Sequence, residues 1–154
     1  MEPILISACL LGAACRYDGG SKPVLSVEAL MGRYQLVPVC PEQLGGLPTP
    51  REPSERQDGR VVMKSGMDVT GQYQRGAQQA LHLARVFGCK KAVLTERSPS
   101  CGSGEIYDGT FSDRLTPGDG VTAALLKANG IEVYGESDIE TLLEQAEEES
   151  PSLF

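Results

Sequence analysis

Four short apolar runs alternate with segments of helical periodicity along this chain. The runs lie at residues 4–7, 35–39, 91–94 and 131–134. The first run is apolar up to Ser7 and rich in β-branched residues, which is typical of a strand that is buried on both faces, and each of the other three contains one polar residue. We therefore predict four strands at these positions, and Pro38 favours an edge position for the second strand because proline cannot donate to a sheet ladder.

The segments between the runs predict helices. The clearest helix is predicted at residues 70–87, where apolar residues recur at helical spacing and Gly88 stands where a C-terminal cap is expected. Shorter helices are predicted at residues 26–33 and 121–129, and a last amphipathic helix follows Asp138. Strands alternating with helices predict right-handed crossovers and a single-domain α/β fold with a mostly parallel, doubly wound, Rossmann-like sheet.

Two long segments rich in Gly, Pro and polar residues interrupt this alternation. They cover residues 41–59 and 95–118, and residues 60–64 between them predict an added hairpin strand. We expect both segments to be long loops at the carboxyl ends of strands. Ligands of open parallel sheets bind outside those ends, so these loops are the predicted location of a functional site.

Composition narrows the class of protein. A chain of 154 residues with 40% apolar and 23% charged residues predicts one globular domain. No apolar run approaches the ~20 residues of a membrane span, and residues 1–7 lack the features of a signal peptide, so we expect a soluble cytoplasmic protein. A net charge of −7 makes nucleic acid an unlikely partner and favours a small-molecule substrate. Because the chain has a single histidine, His82, a His-based catalytic triad or a metal site with several histidine ligands is not expected.

Three of the five cysteines follow predicted strands. Cys9 and Cys40 come directly after the first and second strands, and Cys101 lies in the loop after the third. Because the carboxyl ends of parallel strands meet at one edge of a sheet, we expect these three thiols to converge. Cys89 precedes its strand and is expected at the opposite edge, whereas Cys15 has three open interpretations: a fourth ligand, a spare thiol or a packing residue.

Converging thiolates indicate a metal centre. Three cysteines fit an iron–sulfur cluster with one open iron, or a zinc site with an open fourth position. The structural alternative is that the cysteines are buried as small apolar residues. Their neighbours are Gly, Pro, Ser and charged residues, which are poor surroundings for a packed core.

The same loops carry polar residues that are candidates for catalysis or substrate binding. Glu42 lies two residues after Cys40 and is a candidate general acid or base. Ser98 and Ser100 flank Pro99, and a serine in this setting binds a substrate or caps a turn. Three arginines in these loops, expected to be exposed or to offset thiolate charge, are Arg16, Arg51 and Arg97.

Seven short motifs follow one another along the chain: residues 7–12 (SACLLG), 15–19 (CRYDG), 40–42 (CPE), 46–51 (GLPTPR), 68–70 (DVT), 98–102 (SPSCG) and 107–111 (YDGTF). Taken in this order, they resemble the bacterial thiouracil desulfurase family. The resemblance spans about residues 4–136, and the ordered set is far more specific than any one motif.

The resemblance implies a 4Fe-4S cluster with three cysteine ligands, Cys9, Cys40 and Cys101, and one open iron. It also implies catalytic roles for Glu42 and Ser98. In the family the open iron takes the sulfur of the substrate, water replaces that sulfur on the pyrimidine, and sulfide leaves without net redox change. The implied activity is therefore conversion of 2- or 4-thiouracil to uracil, with a thiolated pyrimidine as the small-molecule partner.

On this interpretation residues 1–136 form the cluster-binding catalytic domain. Residues 137–154 form a helix and an acidic tail that pack on the same domain or extend it. Three alternatives stay open: a desulfurase of thiolated nucleotides or tRNA, a non-catalytic metal- or cluster-binding module, and an α/β domain with buried cysteines. The acidic charge speaks against tRNA.

Overall fold

Four of the eight strands form a parallel sheet in the computed structural model, which describes residues 1–149. In chain order the elements are β1 (Glu2–Ser7), α1 (Val27–Met31), β2 (Tyr34–Val39), α2 (Pro41–Leu44), β3 (Ser54–Gln57), β4 (Arg60–Met63), α3 (Thr70–Phe87), β5 (Lys91–Leu94), β6 (Glu105–Tyr107), β7 (Leu115–Pro117), α4 (Val121–Ala128), β8 (Glu132–Gly135) and α5 (Ile139–Glu149). Short 3-10 turns lie at Ala8–Leu11 and Glu136–Asp138. All four predicted strands are confirmed, with ends within two residues of the predicted bounds.

The sheet has the order β2-β1-β5-β8, and all neighbouring strands are parallel. Strand β2 therefore lies at an edge, where Pro38 pairs with Ile6, as its proline predicted. The central strands β1 and β5 are buried, which explains their continuous apolar sequence.

Helices cover both faces of this sheet. On one face Leu5 and Leu94 pack with Ala80 and Ala84 of α3 and with Leu126 of α4. On the other face, Ile4, Ile6 and Val93 pack against α1 and α5. Successive residues of β1 thus enter opposite cores, as the period of two in a strand requires. The predicted α/β class with a doubly wound parallel sheet is confirmed.

The two long segments are not structureless, contrary to prediction. Residues 41–59 contain the short helix α2 and strand β3, and β3 pairs with β4 in an antiparallel hairpin. Residues 95–118 contain a second hairpin, β6 and β7. These elements have only three or four residues each, too few for a periodic pattern to be recognised in the sequence.

Helix α5 contributes Ile139 and Leu142 to the core on the α1 face. The predicted acidic tail, which includes residues 147–149, lies outside the part whose side chains are described, and residues 150–154 lie outside the described residues. None of the helices within residues 1–149 combines the length and apolar character that a membrane crossing requires.

Candidate active site

A cavity of about 280 Å³ opens at the carboxyl ends of β1, β2 and β5. Every residue singled out as a ligand or catalytic group in the sequence lines it: Cys9, Cys40, Cys101, Glu42 and Ser98. Cys15 lines the same cavity. Cys89 instead caps the end of α3 beside Glu2, at the amino end of β1, as its position before β5 predicted.

Cys9 is held where β1 ends in a 3-10 turn. Its Sγ lies 2.9 Å from Thr95 Oγ1, in the residue that follows β5. The Thr95 N–H in turn donates to Ser7 Oγ at 2.9 Å, so hydrogen bonds join the ends of the two central strands beside the thiol. Burial raises the pKa of the Cys9 thiol, and the contact with Thr95 opposes that shift.

Cys101 is held by a turn that Ser98 caps. Ser98 Oγ accepts hydrogen bonds from the backbone N–H groups of Ser100 (3.1 Å) and Cys101 (3.0 Å). The serine thus takes the turn-capping role, one of the two that its sequence context allowed. Both acceptor sites of its oxygen are occupied, so the hydroxyl proton is the part of Ser98 left to meet a substrate.

The Cys101 turn docks on the start of α4. The N–H groups of Gly120 and Val121 donate to the carbonyls of Gly102 (2.7 Å) and Pro99 (2.8 Å). Gly120 is required by this contact, since a Cβ there would lie 2.4 Å from the Ser100 carbonyl oxygen. Burial raises the pKa of the Cys101 thiol, which lies within electrostatic reach of Cys9 and Cys40.

Cys40 and Cys15 lie together on the other side of the cavity. Cys40 immediately precedes α2, and its Sγ donates a long hydrogen bond, 3.7 Å, to the Cys15 carbonyl oxygen. Arg51 Nη2 donates to the same oxygen at 3.0 Å, so the carbonyl keeps a donor when Cys40 is deprotonated. Burial, together with the nearby Cys40 and Cys9 thiols, raises the pKa of Cys15 to about 12.

Glu42 lies in the first turn of α2 and accepts two hydrogen bonds on one oxygen. The Tyr73 hydroxyl donates to Glu42 Oε1 at 2.5 Å, and Arg51 Nε donates to the same atom at 3.3 Å. The Arg51 side chain is only 2% exposed and the Glu42 side chain 18% exposed. This is a buried ion pair with a phenol donor rather than a solvated surface contact.

Helix α2 reaches Tyr73 because α2 and α3 meet at two glycines. A Cβ on Gly76 would lie 1.9 Å from the Pro41 carbonyl oxygen, and a Cβ on Gly45 would lie 2.0 Å from that of Gln72. Only glycine permits so close an approach of two backbones. The contact sets the position of Glu42 relative to α3.

Sequence reasoning missed the partners of Glu42. Tyr73 repeats at the same helical spacing as the core residues of α3, so its pattern predicts packing and gives no signal of a polar role. Of the two expectations for the arginines, exposure is wrong for Arg51, whose side chain is buried. Arg97, 3.8 Å from Glu105, is more than half exposed, and both Arg97 and Arg16 line the cavity.

A further buried carboxylate holds the wall formed by the loop after β6. Glu55 Oε1 accepts hydrogen bonds from the N–H groups of Gly109 (2.9 Å) and Phe111 (3.1 Å). This loop contributes Asp113 to the cavity, and Tyr107, the last residue of β6, lies directly before it. The sequence offered no sign of this contact, since Glu55 lay in a segment predicted to be a loop.

The cysteines that line the cavity supply the kind of ligand that an iron–sulfur cluster takes. Within the described range of the chain, no group of three His, Cys, Asp or Glu residues is arranged to hold one metal ion. Ligands of a four-iron cluster bind different irons and so stand farther apart than ligands of one zinc. Thiolates are the ligands of such clusters, and the metal keeps them deprotonated despite burial. His82, the single histidine, is exposed on α3.

Comparisons with known proteins agree with this geometry. An uncharacterized protein, YbbK of Bacillus subtilis (strain 168), is 43% identical over 150 residues, which cover 91% of this chain and 99% of YbbK. The solved structure of TudS, a 4Fe-4S-dependent thiouracil desulfidase, matches with a TM-score of 0.91 at 47% identity, covering 97% of this chain and 100% of that chain. The model of the 2-thiouracil desulfurase family matches residues 4–138 of this chain. This chain therefore belongs to the 2-thiouracil desulfurase family.

Proposed function

We propose that this chain is a thiouracil desulfidase that uses a 4Fe-4S cluster held by Cys9, Cys40 and Cys101, with one iron open to the substrate. The observation that carries the proposal is the convergence of these three thiols with Glu42 and Ser98 on one cavity. The full-length similarity to TudS supports the same cofactor and substrate class.

The overall reaction is a hydrolysis. The thiocarbonyl carbon of thiouracil gains the oxygen of water, and its sulfur leaves as sulfide, so the products are uracil and hydrogen sulfide. No electrons are gained or lost. A 4Fe-4S cluster bound by Cys9, Cys40 and Cys101 would supply a soft Lewis acid for the thiocarbonyl sulfur.

The side chains of the cavity handle the proton and the orientation of the ring. Glu42 accepts the proton of the attacking water through Oε2, because the hydrogen bonds that the structure gives this carboxylate fall on Oε1. Ser98 donates its hydroxyl proton to a polar edge of the pyrimidine, since its oxygen is occupied by two backbone N–H groups. Tyr17 and Tyr107 line the cavity and offer aromatic surface to a planar ring.

The size and charge of the cavity favour a free base over RNA. A volume of about 280 Å³ suits a small ligand. Arg51, one of the three arginines of these loops, has a buried side chain bound to Glu42 and the Cys15 carbonyl. Lys22, on the cavity wall, is paired with Glu136 at 2.5 Å. Arg16 and Arg97 also line the cavity, but the net charge of −7 disfavours binding of a phosphate backbone.

The test is cluster content and turnover on the same samples. After anaerobic reconstitution, iron and acid-labile sulfide per chain are measured, and thiouracil is followed to uracil and sulfide by chromatography. We expect near-equal iron and sulfide in the wild type and their loss in Cys9→Ser, Cys40→Ser and Cys101→Ser.

Two further cysteine variants serve as controls. Cys89→Ser lies away from the cavity and should keep both cluster and turnover. Cys15→Ser should also keep the cluster, because the proposed ligand set does not include it. A reconstituted wild type with full cluster and no turnover of 2- or 4-thiouracil would contradict the proposed activity. Retention of the cluster by Cys101→Ser would contradict the proposed ligands.

A further inference from the structure

Glu42 is held from one side by two donors of different kinds. Tyr73 and Arg51, here called the Glu42 clamp, both donate to Oε1, at 2.5 Å and 3.3 Å. Among the hydrogen bonds of the side chains that the structure describes, residues 1–145, none is made by Glu42 Oε2. The carboxylate therefore has one oxygen committed to the protein and one left for a molecule in the cavity.

The arginine of the clamp is itself fixed. Arg51 Nη1 donates to the Pro48 carbonyl oxygen at 3.2 Å and to Thr49 Oγ1 at 3.0 Å, and Nη2 donates to the Cys15 carbonyl oxygen at 3.0 Å. All three guanidinium nitrogens thus have acceptors. Because each nitrogen of the planar Arg51 guanidinium donates a hydrogen bond, the group has little freedom to move with the Glu42 carboxylate if that carboxylate rotates.

The tyrosine of the clamp is fixed by the helix that carries it. Tyr73 is buried in the small core formed with Val61 and Val69. Burial and the adjacent Glu42 carboxylate raise the pKa of the Tyr73 phenol, so it stays a donor throughout the neutral range. Its ring is placed by packing, and only its hydroxyl meets Glu42.

The geometry points to Tyr73 and Arg51 as positioning residues that hold the Glu42 carboxylate so that Oε2 receives the proton of the attacking water. The inference rests on the proposed function, in which Glu42 is the general base. A glutamate without these contacts would sample several rotamers, and a displacement of about 1 Å from the productive position can lower a rate by about 100-fold.

Tyr73→Phe is the sharpest test, because it removes one oxygen and keeps the packed ring. Tyr34→Phe is the matched control, since Tyr34 is also a buried tyrosine but lies at the start of β2 in the other core. For both variants kcat and KM for thiouracil are measured with iron and sulfide per chain. We expect Tyr73→Phe to lower kcat about 10- to 100-fold, with KM and cluster content within twofold of the wild type.

A double-variant comparison separates positioning through Glu42 from general destabilisation. If Tyr73 acts through Glu42, adding Tyr73→Phe to Glu42→Gln should change the residual kcat by less than twofold. A fall of the same factor in both backgrounds would assign Tyr73 a structural role and overturn the inference.

A structural readout makes the result independent of turnover. In crystal structures of the wild type and Tyr73→Phe grown in one form, we expect the Glu42 carboxylate to rotate or to occupy several rotamers in the variant. An unmoved carboxylate would refute the clamp, whatever the activity. Loss of turnover in Glu42→Gln with full turnover in Tyr73→Phe would also refute it while leaving the proposed function intact. Full turnover in Glu42→Gln would instead remove the proposed catalytic role of Glu42.

Discussion

Replacing Gly76, which does not itself line the cavity, with alanine should displace α2 and disable the site. The new Cβ would lie 1.9 Å from the Pro41 carbonyl oxygen, whereas ordinary contact begins at 3.4 Å. The two helices must therefore separate by about 1.5 Å, or the surrounding core must deform. Overpacking of this kind costs about 1–3 kcal/mol, which for a domain of this size lowers the Tm by about 2–12 °C.

The functional effect should exceed the effect on stability. Glu42 follows Pro41 on α2, so a shift of the helix carries the carboxylate away from Tyr73. Since a displacement of about 1 Å can cost about 100-fold in rate, we expect kcat to fall by at least that factor. Differential scanning calorimetry gives the Tm, and steady-state turnover of thiouracil by the reconstituted protein gives kcat.

Gly71→Ala is the matched control because it makes the same substitution on the same helix. A Cβ at Gly71 meets no atom within 4 Å. Alanine is the better helix former by roughly 1 kcal/mol in a helix interior, so this variant should match or exceed the wild type in Tm and keep full activity. If Gly76→Ala behaves like Gly71→Ala in both measurements, the close approach of α2 and α3 does not position Glu42.

Two further predictions concern the walls of the cavity. Ser98→Ala removes the acceptor of two N–H groups and should lower both iron content and kcat, with a loss of about 0.5–2 kcal/mol from the turn, whereas Ser98→Asp keeps the acceptor and should retain the cluster but lose turnover. If Ser98→Ala binds as much iron and sulfide per chain as the wild type does, the turn does not need the Ser98 cap to hold the cluster. Glu55→Ala frees the loop that follows Tyr107 and should raise the KM for thiouracil several-fold, while Glu55→Gln keeps an acceptor oxygen and should stay near the wild type. An unchanged KM in Glu55→Ala would remove that loop from substrate binding.

The sheet could be predicted from sequence because its signals are local. Continuous apolar runs mark strands buried on both faces, and a proline marked β2 as an edge strand. The location of the cavity followed from the same reasoning, because Cys9 and Cys40 directly follow their strands and the ends of parallel strands share one edge. Both inferences need only the order of residues and the geometry of a parallel sheet.

The environment of Glu42 could not be predicted in this way. Tyr73 lies 31 residues from Glu42 in the sequence, and their contact depends on Gly45 and Gly76 bringing two backbones together. Each glycine alone is compatible with a turn, a helix interior or a close approach. The burial of the Arg51 side chain likewise depends on acceptors outside its own loop, the Glu42 carboxylate on α2 and the Cys15 carbonyl.

Helix α2 links the two chemical parts of the cavity. It begins directly after Cys40, a proposed cluster ligand, and carries Glu42, the proposed base, in its first turn. Cys9 and Cys101 are held independently of it, by the end of β5 and by the start of α4. A displaced α2 would therefore disturb one ligand and the base together, and an activity loss alone would not say which had failed. Because Tyr73 contacts the carboxylate and not Cys40, Tyr73→Phe is the substitution that separates the base from the cluster.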